Sequence, residues 1–159
     1  MVAAQENRYG VEHSAAIAVG SGMAVTLMVW TLAPISAAHL NPAVTLGFAG
    51  AGLFSWQEVG AYIFSQIIGA LLASLSLQVI VHDPALFSTA VNQPLHHNSA
   101  SIMMEFVATF ILMLINMKVA CGLGETGGFG GSFMIGSTVA LLGYYGSSSR
   151  QQQATRLVY

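Results

Sequence analysis

Apolar residues run in long blocks along this chain, separated by short stretches rich in Pro, Gly or charge. Residues 13–57 contain no Asp, Glu, Lys or Arg, and the same holds for 59–82, 84–104, 106–117 and 126–149. A helix crossing a bilayer needs about 20 mostly apolar residues, because the hydrocarbon is about 30 Å thick and a helix rises 1.5 Å per residue. The pattern predicts four spans, at 14–33, 57–81, 101–120 and 129–145. Pro34 is expected to end the first, since proline fits poorly in a helix interior. His82-Asp83-Pro84 closes the second and Cys121-Gly122 the third. The fourth is the shortest and is punctuated by glycine. Small residues recur every fourth position at Ala16, Gly20 and Ala24, at Ser65, Gly69 and Ala73, and at Ser132, Gly136 and Ala140. Such stripes let helix backbones approach closely in lipid, so a tight bundle is expected.

One apolar stretch, 34–56, does not fit a span, because Pro and Gly break it up. As a helix, residues 42–53 would be about 18 Å long, enough to reach the bilayer middle and too short to cross. Asn41 is a favoured N-cap and Pro42 suits the first helical position. Ala43, Gly47 and Ala51 give this helix a small-residue face of its own. An interfacial helix would need a charged face, and none exists here. Irregular backbone at membrane depth is tolerated only inside protein or beside a water-filled cavity. The segment therefore predicts a re-entrant half-helix beside an aqueous path. Its N-terminus, carrying roughly +0.5 charge, repels cations, and the Asn41 amide offers N–H donors to a neutral solute's oxygen.

Composition agrees. Hydrophobic types make up 55% and charged types 6% of 159 residues, against about 25% charged in soluble domains. Four Lys and Arg against six Asp and Glu leave no basic footprint for nucleic acid. A single Cys excludes a disulfide framework. No paired carboxylates, activated nucleophile or metal triad lies within the spans, so no enzyme, metal or cofactor is expected. His82, His96 and His97 read as a polar loop. Residues 1–13 form a leader with Glu6, Glu12 and only Arg8, unlike a basic signal-peptide start.

Ser36-Ala37-Ala38-His39-Leu40-Asn41-Pro42-Ala43-Val44-Thr45 resembles the first Asn-Pro-Ala box of the aquaporin, or major intrinsic protein, family, with Ala37 where that pattern has Gly. Ala61-Tyr62 through Gln66 and Gly69-Ala70 resembles the family's third helix, Glu105-Phe106 with Thr109-Phe110 its fourth, and residues 136–142 its fifth. The flavour is nearest to plant nodulin-like intrinsic proteins. The resemblance implies an all-α membrane protein, a partial aquaporin-like bundle of about four transmembrane helices plus one re-entrant half-helix, over residues 14–143. Passive transport of water and small neutral solutes, glycerol or metalloid acids, follows as the implied function. Residues 144–159 read as a polar tail unlike the family. No second box and no sixth helix are found, so a truncated gene product or an incorrect gene model is expected, with conduction in doubt. The alternative is a non-conducting membrane subunit that joins full-length aquaporins.

The resemblance also implies site roles. Asn41, Pro42 and Ala43 line the pore. His39 and Glu105 brace the loop. Ser21 and Gly143 supply a wide selectivity constriction, with helix packing an equal reading of Ser21. Implied partners are the lipid bilayer, the permeating solutes and aquaporin-family chains in a homo- or hetero-tetramer. Localisation is expected to be integral and multi-pass. Positive-inside counting favours termini on the cytoplasmic side, whereas the family arrangement puts the Asn-Pro-Ala loop and Lys118 there, and the latter is followed.

Overall fold

The structure is a computed structural model describing residues 2–80, 98–122 and 128–156, with side chains over 14–80, 102–122 and 128–146. Five helices occur among the described residues: α1 (Val2–Ser36), α2 (Pro42–Gly50), α3 (Trp56–Ile80), α4 (Asn98–Gly122) and α5 (Phe129–Arg156). They fall into two compact units. One holds α1 with α5 and the span of α4; the other holds the loop after Ala38, α2 and α3.

Three helices have stretches long and apolar enough to cross a membrane, Ser14–Ser36, Trp56–Ile80 and Ile102–Gly122. α5 covers the fourth expected span, where Gly130, Gly131, Ser132, Gly136, Ser137 and Thr138 dilute its apolar character. The expected leader and tail are not set off by breaks. α1 already includes residues 2–13 and α5 continues to Arg156, since Ala, Gln and Arg are good helix formers and no Pro intervenes.

Pro34 does not end the first helix, contrary to expectation. It sits inside α1. The missing N–H removes one bond, and the ladder resumes with Ala37 N donating to Ala33 O at 3.0 Å. The helix is broken instead by Ala37 and Ala38, both left-handed, with φ of 54° and 50°.

α1 and α5 pack through small residues. Ser14, Ala18, Gly22, Thr26 and Val29 are buried on α1, and Ser132, Ile135 and Gly136 on α5. A Cβ on Gly22 would lie 2.5 Å from Gly136 O and 2.6 Å from Ala140 Cβ. One on Gly136 would meet the Thr26 hydroxyl and Gly22 O. The crossing thus requires glycine on both sides. The Thr26 hydroxyl donates within its own helix to Gly22 O at 2.9 Å, so this contact leaves no bare hydroxyl. Val29, Ala38, Val119 and Ile135 form an apolar cluster, with Leu112 and Ile115 of α4 against it.

This partly corrects the stripes read from sequence. Ser132, Gly136 and Ala140 do meet α1. On α1, however, Ala16, Gly20 and Ala24 are exposed, and the packed register is Ser14, Ala18, Gly22 and Thr26. Ser65, Gly69 and Ala73 are also exposed. On α3 only Val59 is buried. Phe64, Ile67, Leu71, Leu72 and Leu75 are exposed.

Candidate functional site: the half-helix and its loop

Asn41 begins α2 in extended conformation, φ −140° and ψ 132°. Its Oδ1 accepts from Ala43 N at 2.9 Å. Pro42 takes the first helical position, where no N–H is needed. With Oδ1 engaged, what Asn41 has left to offer is its pair of amide N–H donors, and the residue is exposed. Ala43 is exposed beside it and Pro42 is half-buried. The local sequence thus fixes one end of the side chain and presents the other.

α2 ends sooner than the sequence suggested, at Gly50 in place of residue 53. Gly52 is left-handed, with φ 73°. Its N–H donates to Ala49 O at 3.1 Å, and Leu53 N–H donates to Phe48 O at 2.9 Å. This is the paired C-terminal closure that glycine makes possible. The helix is therefore about 14 Å long, still too short to cross a bilayer. It packs with α3, and Val44, Thr45, Phe48 and Ala49 are buried. Ala43 and Ala51 are exposed and Gly47 half-buried, so the small-residue face is not the buried face.

His39 is 6% exposed. Its ring stacks on Phe48, with centroids 4.7 Å apart and planes 9° apart. Phe54 and Tyr62 meet it edge-on at 4.8 and 5.7 Å, and these two touch each other at 4.8 Å. Packing thus holds the imidazole, while Nδ1 finds no hydrogen-bond partner among the described residues. Burial pushes its pKa below the ordinary value. The His39 carbonyl accepts from Gln66 Nε2, which also donates to the Thr45 hydroxyl at 2.9 Å.

Gln66 joins this loop in the structure, and the sequence did not single it out beyond its resemblance. A signal was present: an amide within the uncharged stretch 59–82 needs a partner inside the protein. Glu105 belongs to the other unit and is exposed on α4. Ser21 and Gly143 are exposed on α1 and α5. The Ser21 hydroxyl donates to Ile17 O at 2.8 Å, and a Cβ on Gly143 would lie 4.0 Å from Ala18 Cβ. His82, His96 and His97 lie outside the described residues. Among the described residues, no group of three His, Cys, Asp or Glu could hold a metal.

Aquaporin NIP3-1 of Arabidopsis thaliana is 37% identical over 131 residues, covering 79% of this chain and 40% of that protein. Nodulin-26 of Glycine max is 37% identical over 139 residues, covering 86% of this chain and 49% of that protein. Aquaporin NIP1-3 of Oryza sativa is 39% identical over 128 residues, covering 77% and 42%. The chain thus spans less than half the length of these curated relatives. The model of the major intrinsic protein family matches residues 1–149. Together with the spans of α1, α3 and α4, this makes the chain an integral, multi-pass membrane protein of the major intrinsic protein family.

Proposed function

We propose that the chain contributes to a channel for passive movement of water and small neutral solutes, with Asn41, Pro42 and Ala43 at its path. One observation carries this reading. The Asn41 side chain is locked at Oδ1 by Ala43 N–H, so its N–H donors stand beside the positive end of α2. A neutral solute bearing a water-like or hydroxyl oxygen can accept from those donors. A cation meets both the donors and the helix dipole and gains nothing for its lost hydration. His39 braces the approach through its ring packing, and Glu105 has a bracing role by resemblance. Ser21 and Gly143 are small and exposed, which supports a wide constriction passing glycerol or metalloid acids as well as water.

Proteoliposomes carrying the chain are placed in osmotic and glycerol gradients. Swelling faster than empty vesicles is expected. A Cys at Asn41, in a Cys121→Ser background, is expected to react with small water-soluble thiol reagents. Swelling no faster than empty vesicles, with co-purification of a full-length aquaporin, would support instead a non-conducting subunit.

A further inference from the structure

We propose that Gln66 is the positioning residue that fixes the Asn41 amide at the head of the half-helix. The inference deepens the channel reading and rests on it for its effect on solutes. Gln66 lies in α3 and presents one nitrogen with two hydrogens. One is donated to the His39 carbonyl, two residues before Asn41, and the other to the Thr45 hydroxyl, four residues after it. Thr45 in turn donates to Asn41 O from both N, at 3.1 Å, and Oγ1, at 3.4 Å. A single carboxamide on a regular helix therefore grips the chain on both sides of Asn41.

The orientation of that carboxamide is set by its acceptors. Turned over, Gln66 Oε1 would oppose the His39 carbonyl oxygen, and the Thr45 hydroxyl could meet it only by releasing Asn41 O. Oε1 is left buried and without a partner among the described residues. An unpaired buried acceptor carries a penalty, so the two donated bonds dominate the arrangement. Thr45 is fully buried at 0%, which keeps water from substituting for Gln66. Among the described residues, the Asn41 side chain is tethered by its cap to Ala43 alone. Binding groups must be held to within about 0.5 Å to discriminate, and Gln66 ties the residues flanking Asn41 to α3.

The test uses the full chain reconstituted in lipid, as wild type, Gln66→Glu and Gln66→Met. The carboxylate has the same shape without donors; the thioether removes polarity without repulsion. Site-resolved amide hydrogen exchange is read at Ala43 and Thr45, with α1 and the remainder of α3 as references. Both variants are expected to accelerate exchange at these two positions about tenfold with the references unchanged. Protonating the Glu variant at low pH restores one donor and partly reverses the change. In vesicles the ratio of water to glycerol entry shifts in the same variants. Exchange at Ala43 and Thr45 unchanged in both variants, or accelerated equally in every helix, overturns the proposal. Wild-type vesicles that swell no faster than empty ones remove the channel reading, and the exchange pattern then decides the role of Gln66 alone.

Discussion

Gly20 and Gly22 stand two positions apart in α1, and the structure gives them opposite responses to an added methyl group. Around Gly20 nothing lies within 4 Å, whereas a Cβ on Gly22 would sit 2.5 Å from Gly136 O and 2.6 Å from Ala140 Cβ. Ordinary contact begins near 3.4 Å, so Gly22→Ala forces α1 and α5 apart by about 1 Å. A gap of that size forfeits roughly a quarter to a half of each atom pair's attraction, and overpacking typically costs about 1–3 kcal/mol. In lipid, packing of this kind supplies much of the drive for helices to associate. Both substitutions gain about 0.5–1 kcal/mol from replacing a helical glycine. Gly22→Ala should therefore lose roughly 1–2 kcal/mol net, and Gly20→Ala should gain about 0.5–1 kcal/mol. Reversible unfolding by SDS in mixed micelles measures this. The probe is Trp30, whose ring meets Phe129 edge-on at 5.9 Å, in a Trp56→Phe background. Equal shifts of the same sign at both positions would refute the packing argument.

Ala37→Gly should stabilise the fold by about 0.5–1 kcal/mol. A left-handed Ala costs about 1–2 kcal/mol, and the greater freedom of unfolded glycine offsets about 0.4–1 kcal/mol of the relief; the same SDS titration reads it. Asn41→Asp keeps an oxygen for the Ala43 N–H and suits the helix dipole, so stability should stay within about 1 kcal/mol, yet the amide donors are gone. Swelling in water and glycerol gradients should fall in vesicles shown by circular dichroism to hold folded protein, and unchanged swelling would exclude Asn41 as a solute ligand. His39 has a lowered pKa through burial, so the unfolded chain binds more protons in the window below about pH 6.5. Stability should be full above that value and decline as pH falls toward the folded pKa, with a flatter profile in His39→Phe. A wild-type profile parallel to that of His39→Phe would remove the assignment.

The head of the half-helix was legible because its signals are local. The cap bond itself joins near neighbours, Asn41 Oδ1 accepting from Ala43 N with Pro42 between them. Its far end was misread by three residues, since periodicity and apolarity continue to Leu53, and only the left-handed Gly52 redirects the backbone. The packing faces were harder for a different reason. α1 carries two small-residue stripes with the same four-residue spacing, one through Ala16, Gly20 and Ala24 and another through Ser14, Ala18 and Gly22. Spacing alone cannot choose between them. The choice falls to the partner surface, where Gly136 can admit the backbone at Gly22. Likewise, Ala43, Gly47 and Ala51 gave α2 a small-residue face in the sequence, while the face it buries carries the bulk of Val44 and Phe48. Gln66 was visible as an amide among apolar neighbours, but its acceptors lie 21 and 27 positions away in sequence. Caps and spans depend on neighbours in the chain; the grip on Asn41 depends on a helix that returns to meet it. Substitutions at Asn41 should therefore act locally on α2, and substitutions at Gln66 should act on Asn41 from a distance.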